Sequence, residues 1–94
     1  MPADLDEKVE RYESLLAEAV SLTEPLPRSD SPLGRAAGEF HEMAASYLED
    51  GRHFRADNDP VNALAAFSYG HAWLDAGARL GIFDVPEGGE LFTV

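Results

Sequence analysis

No cysteine occurs in the 94-residue chain, which excludes thiolate catalysis, disulfide staples and cysteine-ligated metal sites within it. Lysine is nearly as scarce, with Lys8 alone against eighteen acidic residues. No uninterrupted apolar run approaches the ~20 residues that a membrane-spanning helix needs. The opening residues MPADLDEKVERYE are charged and contain no apolar segment of the kind a signal peptide carries. A cytoplasmic protein with no membrane contact is the expectation. Neither an HExxH motif nor a Glu-x-x-His pair is present, so the usual helical zinc and di-iron signatures are missing.

What is present is acid. Eighteen Asp and Glu face seven Lys and Arg, for a formal net charge of −11. Acid excess with almost no lysine and much alanine matches proteins of salt-accumulating halophiles and points to a haloarchaeal source. At molar salt the Debye length falls to about 3 Å, so self-repulsion is screened while carboxylates keep the surface hydrated. At ordinary salt the same charge would repel nucleic acid and anionic membranes. A solvated acidic coat therefore accounts for the composition without any cationic partner. Nucleic acid finds no basic groove here.

The stretch with the strongest structural signal is DPVNALAAFSYGHAWLDAGARLG, residues 59–81. Thirteen of the twenty residues from Val61 to Leu80 are apolar. Asp59 is placed to cap the first orphan amides, and Pro60 sits at the first helical position, where its missing N–H costs nothing. Gly81 falls where a left-handed C-terminal cap is wanted, with Arg79 in the last turn. A helix this apolar around most of its circumference needs cover on several sides. Its polar residues Ser68, His71, Asp75 and Arg79 lie within roughly 80° of one another.

Two further helices precede it. Asp4 followed by Glu7 has capping-box spacing and opens a helix over about 4–22. Leu5, Val9, Tyr12, Leu16 and Ala19 form its apolar stripe, and Leu15 and Leu22 widen it. Residues 23–31, TEPLPRSDS, form a connection. Ser31–Pro32 then repeats the cap-plus-proline device and starts a helix over about 32–55. Leu33, Ala36, Ala37, Phe40, Met43, Ala44, Tyr47 and Phe54 are its stripe. The break before the third helix, over about 60–80, is so short that helices two and three must form an antiparallel hairpin. Gly70 and Gly77, seven apart in helix three, call for a closely approaching backbone, from helix one, helix two or a second subunit. Beyond Gly81, Ile82, Phe83 and Val85 should fold back on the bundle. Residues 86–89 read as a turn or link, and Leu91 and Phe92 in the final LFTV either pack or bind a partner. The expected fold is all-α: a single domain, a three-helix up-down-up bundle with a short irregular C-terminal tail.

Helices two and three together carry two resemblances. Tyr47, Gly51, Phe54, Asp59, Ala63, Phe67 and Gly70 have a large–small–large spacing similar to that of a tetratricopeptide-like helical hairpin. One such unit is present, short of the three or more a solenoid needs. More broadly, Met43–Tyr47, Asp59–Ala63 and Tyr69–Gly77, followed by Arg79–Leu80–Gly81, resemble an archaeal family catalogued as domain of unknown function number 357. YGHAWLDAG is its most specific segment, and the match runs from helix one to about Phe83. The resemblance implies a compact helical bundle in an archaeal cytoplasm, and no activity.

Few residues could carry chemistry. Ser68, His71 and Asp75 are hydrolase-triad types, but on one helix they project side by side, without a nucleophile elbow or visible oxyanion donors. A hydrogen-bonded line of His71, Asp75 and Arg79 explains them more simply. His41, His53 and His71 are scattered over two helices. Arg35 and His41 match the loose Arg–His spacing of helical HEPN-type ribonucleases, early in helix two instead of near the end of the last helix. Trp73 and Tyr69, four apart and on a face with Ala66, Ala76 and Leu80, read as core, the alternative being a partner groove with Trp73 or Phe92 as its anchor. The sequence thus favours a non-enzymatic interaction or adaptor module without a cofactor, which self-associates or binds an unidentified protein. Ser68, His71, Trp73, Asp75 and Arg79, with Leu91 and Phe92 of the tail, are the contact candidates. The alternative is a small-ligand or RNA-processing domain that uses the Ser68/His71/Asp75/Arg79 stripe.

Overall fold

Three capped helices organise the chain. A computed structural model describes residues 4–26 and 30–85, with α1 at Leu5–Leu22, α2 at Pro32–Ala56 and α3 at Pro60–Leu80. The expected tail residues Leu91 and Phe92 lie outside the described residues. Each helix starts as the sequence suggests. Asp4 accepts from the amides of Asp6 and Glu7, Ser31 from that of Gly34, and Asp59 from that of Asn62. Proline follows the cap in α2 and α3. At the far end of α3, Gly81 takes a left-handed conformation with φ 77°, open to glycine without strain. The α2–α3 turn is closed by Asn58, also left-handed at φ 59°.

The two long helices form the hairpin, and small residues decide how closely they meet. Phe67 of α3 lies directly over Gly51 of α2, where any side chain would collide with its ring. A Cβ on Gly70 would stand 3.1 Å from the Ala44 carbonyl oxygen and 2.7 Å from Leu16 Cδ2. The close neighbour demanded by Gly70 is thus the α2 backbone together with α1. Gly77 is covered instead by the ring of Phe83, folded back from beyond the helix. The fully buried centre comprises Val9 and Leu16 of α1 with Phe67 and Leu74 of α3.

The first helix lies along the hairpin, antiparallel to α2. Glu13 bonds Arg52 and Arg55 near the C-terminal end of α2, and Val20, further along α1, meets His41 earlier in α2. The chain segments that follow α1 and α3 then join. A two-residue strand β1 (Glu24–Pro25) pairs antiparallel with β2 (Phe83–Asp84), in the register Glu24 opposite Asp84 and Pro25 opposite Phe83. The Leu26 amide extends the bridge by donating to the Ile82 carbonyl at 2.9 Å. This bridge refines the expected irregular connection and tail. It holds Ile82 and Phe83 buried and Val85 half-buried against the bundle.

Candidate functional site

At 100° per residue the buried positions of α3 (Ala63, Ala66, Phe67, Gly70, Leu74 and Gly77) occupy one side of its circumference. The opposite side is mostly apolar too, with exposed Asn62 and Arg79 at its two ends, and no described residue covers it. Val61, Ala65, Tyr69, Ala72, Ala76 and Leu80 are all exposed and fall within roughly 100° of arc. Three of them are large: Val61 keeps 67%, Tyr69 63% and Leu80 66% of its accessible surface. An apolar row of this length on a helix is far from the scattered single hydrophobics of an ordinary surface.

Aromatic pairs border this row on the α2 side. Tyr69 stacks on Tyr47 with ring centroids 5.8 Å apart, and Trp73 meets Phe40 edge to face at 5.0 Å. Trp73 is half-buried, between the core and the open face. Exposed Met43 and Phe54 of α2 extend the apolar surface beyond Tyr47.

The polar stripe singled out from the sequence forms the other border. Ser68 and Arg79 are exposed, and His71 and Asp75 are half-buried. The Ser68 hydroxyl donates to the Leu64 carbonyl one turn back at 2.9 Å, so it is occupied within its own helix. None of His71, Asp75 and Arg79 is without a partner. The structure therefore brings Ser68, His71, Trp73, Asp75 and Arg79 onto one helix beside the apolar row, with Leu91 and Phe92 outside the described residues.

The other chemistry-bearing residues have local duties. His41 bonds the Val20 carbonyl at 2.8 Å, and Arg35 donates to the Asp30 carbonyl at 3.0 Å, so both members of the Arg–His spacing contact backbone carbonyls. Arg52 and Arg55 grip the Glu13 carboxylate at 3.0 and 2.7 Å. Partial burial pushes the Glu13 carboxyl up, but the hydrogen bonds and charges of the two guanidiniums prevail and hold it below its usual 4.5. Arg55 is raised in turn by its bond to Glu13. Open clefts of about 350 and 340 Å³ lie beside Asp6, Arg55 and Asn58 and beside Ser21, Thr23 and His41, away from the stripe. Among the described residues, no three His, Asp or Glu gather as a metal site, and no buried side-chain polar atom lacks a partner. No helix there is long and apolar enough to cross a membrane.

A family model described as "Protein of unknown function (DUF357)" matches residues 11–83, from the second turn of α1 to the first residue of β2. The chain belongs to this family. The DUF357 match spans all of α2 and α3, and so includes the hairpin with both its buried and its open faces. No curated protein and no solved structure matches the chain.

The sequence points to α3 as a contact element but not to the residues of its open face. Val61, Ala72, Ala76 and Leu80 were indistinguishable from core by residue type. A signal was available in their spacing. Val61 and Ala72, Ala65 and Ala76, and Tyr69 and Leu80 are each eleven residues apart. That period keeps a row almost in line along a helix.

Proposed function

We propose that this protein is a non-enzymatic helical interaction module of a halophilic archaeon, acting in the cytoplasm, with the outer face of α3 as its contact surface. The observation that carries this reading is the uncovered row Val61–Tyr69–Leu80, apolar over almost the full length of the helix. Burial of such a row on association is favourable at roughly 25 cal/mol per Å² before the costs of binding are deducted. The half-buried Trp73 and the Tyr47–Tyr69 stack supply the aromatic anchors that interfaces concentrate. Ser68, Asp75 and Arg79 supply a polar rim.

Supporting the non-enzymatic side of the reading, the triad-type residues Ser68, His71 and Asp75 project from a convex helix surface with the Ser68 hydroxyl already bonded. A nucleophile needs a base aimed at it and donors for the developing oxyanion.

Affinity capture at multimolar salt tests the module. The full chain is compared with Ala72→Glu, which places a carboxylate in the open face, with His71→Ala/Asp75→Ala, and with a chain ending at Gly89. A protein retained by the full chain and by the double variant, but lost with Ala72→Glu, supports the reading. Retention of a nucleotide or RNA that only the double variant fails to hold would overturn it in favour of a ligand site on the stripe.

A further inference from the structure

We propose that the occupant of the open α3 face is a second copy of this chain, docked antiparallel through α3 about a two-fold axis. This rests on the interaction-module reading and names its partner. Along the row, Val61, Ala65, Tyr69, Ala72, Ala76 and Leu80 are separated by 4, 4, 3, 4 and 4 residues. That order is the same from either end. A closed two-fold interface requires this property, because one patch must meet itself with the chain direction reversed.

Turned end for end about the midpoint between Gly70 and His71, the helix sets Val61 against the partner's Leu80 and Ala65 against the partner's Ala76. At the centre Tyr69 falls beside the partner's Ala72, and the contact occurs twice. Large therefore meets small at the centre, and the alanines allow the helix axes to approach to about 8 Å. In a parallel pair Tyr69 would oppose itself, Arg79 would oppose itself, and the alanines would leave gaps between the bulky layers. The polar rim is also compatible with the antiparallel arrangement. Ser68 and Asp75 sit on the same edge of α3, and reversal brings each to within about one turn of the other across the axis.

Charge leaves this face, unlike the rest of the surface, open to a copy of this chain. The whole chain carries −11, yet between Pro60 and Leu80 the only charged side chains are Asp75 and Arg79. A cationic protein would be drawn to the carboxylates of α1, among them Asp6, Glu7, Glu10 and Glu18. A second −11 chain is repelled from those surfaces and meets no net charge on α3. Screening at high salt removes what long-range repulsion remains, so the pairing tightens as salt rises.

The absence of cysteine makes the test clean. In the full-length protein, Ala65→Cys and Ala76→Cys are prepared separately, both at exposed helical positions. The antiparallel register brings position 65 of one copy opposite position 76 of the other, within disulfide reach. Two copies of position 65 stay about 16 Å apart. After mild oxidation at multimolar salt the mixture is expected to give a mixed disulfide dimer, and each variant alone to remain uncrosslinked, with unchanged helical circular dichroism. Crosslinking of Ala65→Cys to itself, or a monomeric wild type at every concentration, overturns the pairing. The two failures are distinguishable. A monomer that still captures another protein through α3 ends the pairing and leaves the module reading standing, and a monomer that captures nothing ends both.

Discussion

Gly77 and Gly38 are both glycines inside helices, and they have opposite consequences for stability. At Gly77 the Phe83 ring occupies the space a side chain would take, while around Gly38 there is nothing within 4 Å. Gly77→Ala must displace the ring that seals the end of the core, and should destabilise by about 1–3 kcal/mol. Gly38→Ala removes backbone freedom from the unfolded chain at an open helical site and should stabilise by about 0.5–1 kcal/mol. Denaturant unfolding of the two variants checks the contrast in sign. Glu13 allows a second test at this scale. Its folded-state pKa is held below the ordinary 4.5, so its contribution is present above pH 4.5 and fades as pH falls through the lowered value. Glu13→Gln should lower stability at neutral pH by no more than about 1 kcal/mol, since both guanidiniums are largely exposed. The difference from wild type should vanish in strong acid and shrink in multimolar salt, as thermal melts across pH and salt would show.

Among the elements, α1 shows how one helix depends on another. It ends without a glycine and with no basic residue in its last turn. The Ala19 carbonyl accepts both the amide and the hydroxyl of its own cap Thr23, whereas the Val20 carbonyl is met from outside, by His41 of α2 at 2.8 Å. His41→Ala leaves the Val20 carbonyl without that donor and should cost about 1–2 kcal/mol, with hydrogen exchange in the last turn of α1 rising first. Phe67 ties α3 to Gly51 of α2, and Phe67→Ala should cost about 3–5 kcal/mol in equilibrium unfolding.

Helix starts and stops were legible in the sequence because each is a local device. Asp4, Ser31–Pro32, Asp59–Pro60 and Gly81 act on amides and carbonyls within a turn of themselves. The folding back of Ile82 and Phe83 was legible from their hydrophobicity. The β1–β2 bridge was not, because two residues are too few to show alternation and the partners are nearly sixty positions apart. The Glu13–Arg52–Arg55 cluster and the His41 cap were hidden for the same reason. The open face was hidden by chemistry, because Val61 or Leu80 on a helix has the same composition whether it faces a core or a partner. Ser68, His71, Asp75 and Arg79 were placed correctly on one helix edge, but their exposure depends on where α1 lies, which no local pattern encodes.

For the whole molecule, the distribution of charge and of uncovered apolar surface tells one story. Acid covers the first helix and much of the second, and the third is nearly free of charge. Among the described residues, α1 lies along the hairpin and leaves one flank of α3 exposed from Val61 to Leu80. A chain that keeps its copies apart everywhere else can meet another surface there with little electrostatic penalty, above all in concentrated salt. The most direct test is sedimentation equilibrium of the full chain and of Ala72→Glu over a wide concentration range, at low and at multimolar KCl. The wild type should rise above monomer mass with concentration, and more steeply in high salt, while Ala72→Glu stays monomeric with its helicity intact. A wild type that remains monomeric throughout would contradict self-association through α3, as would an assembly that Ala72→Glu leaves unchanged.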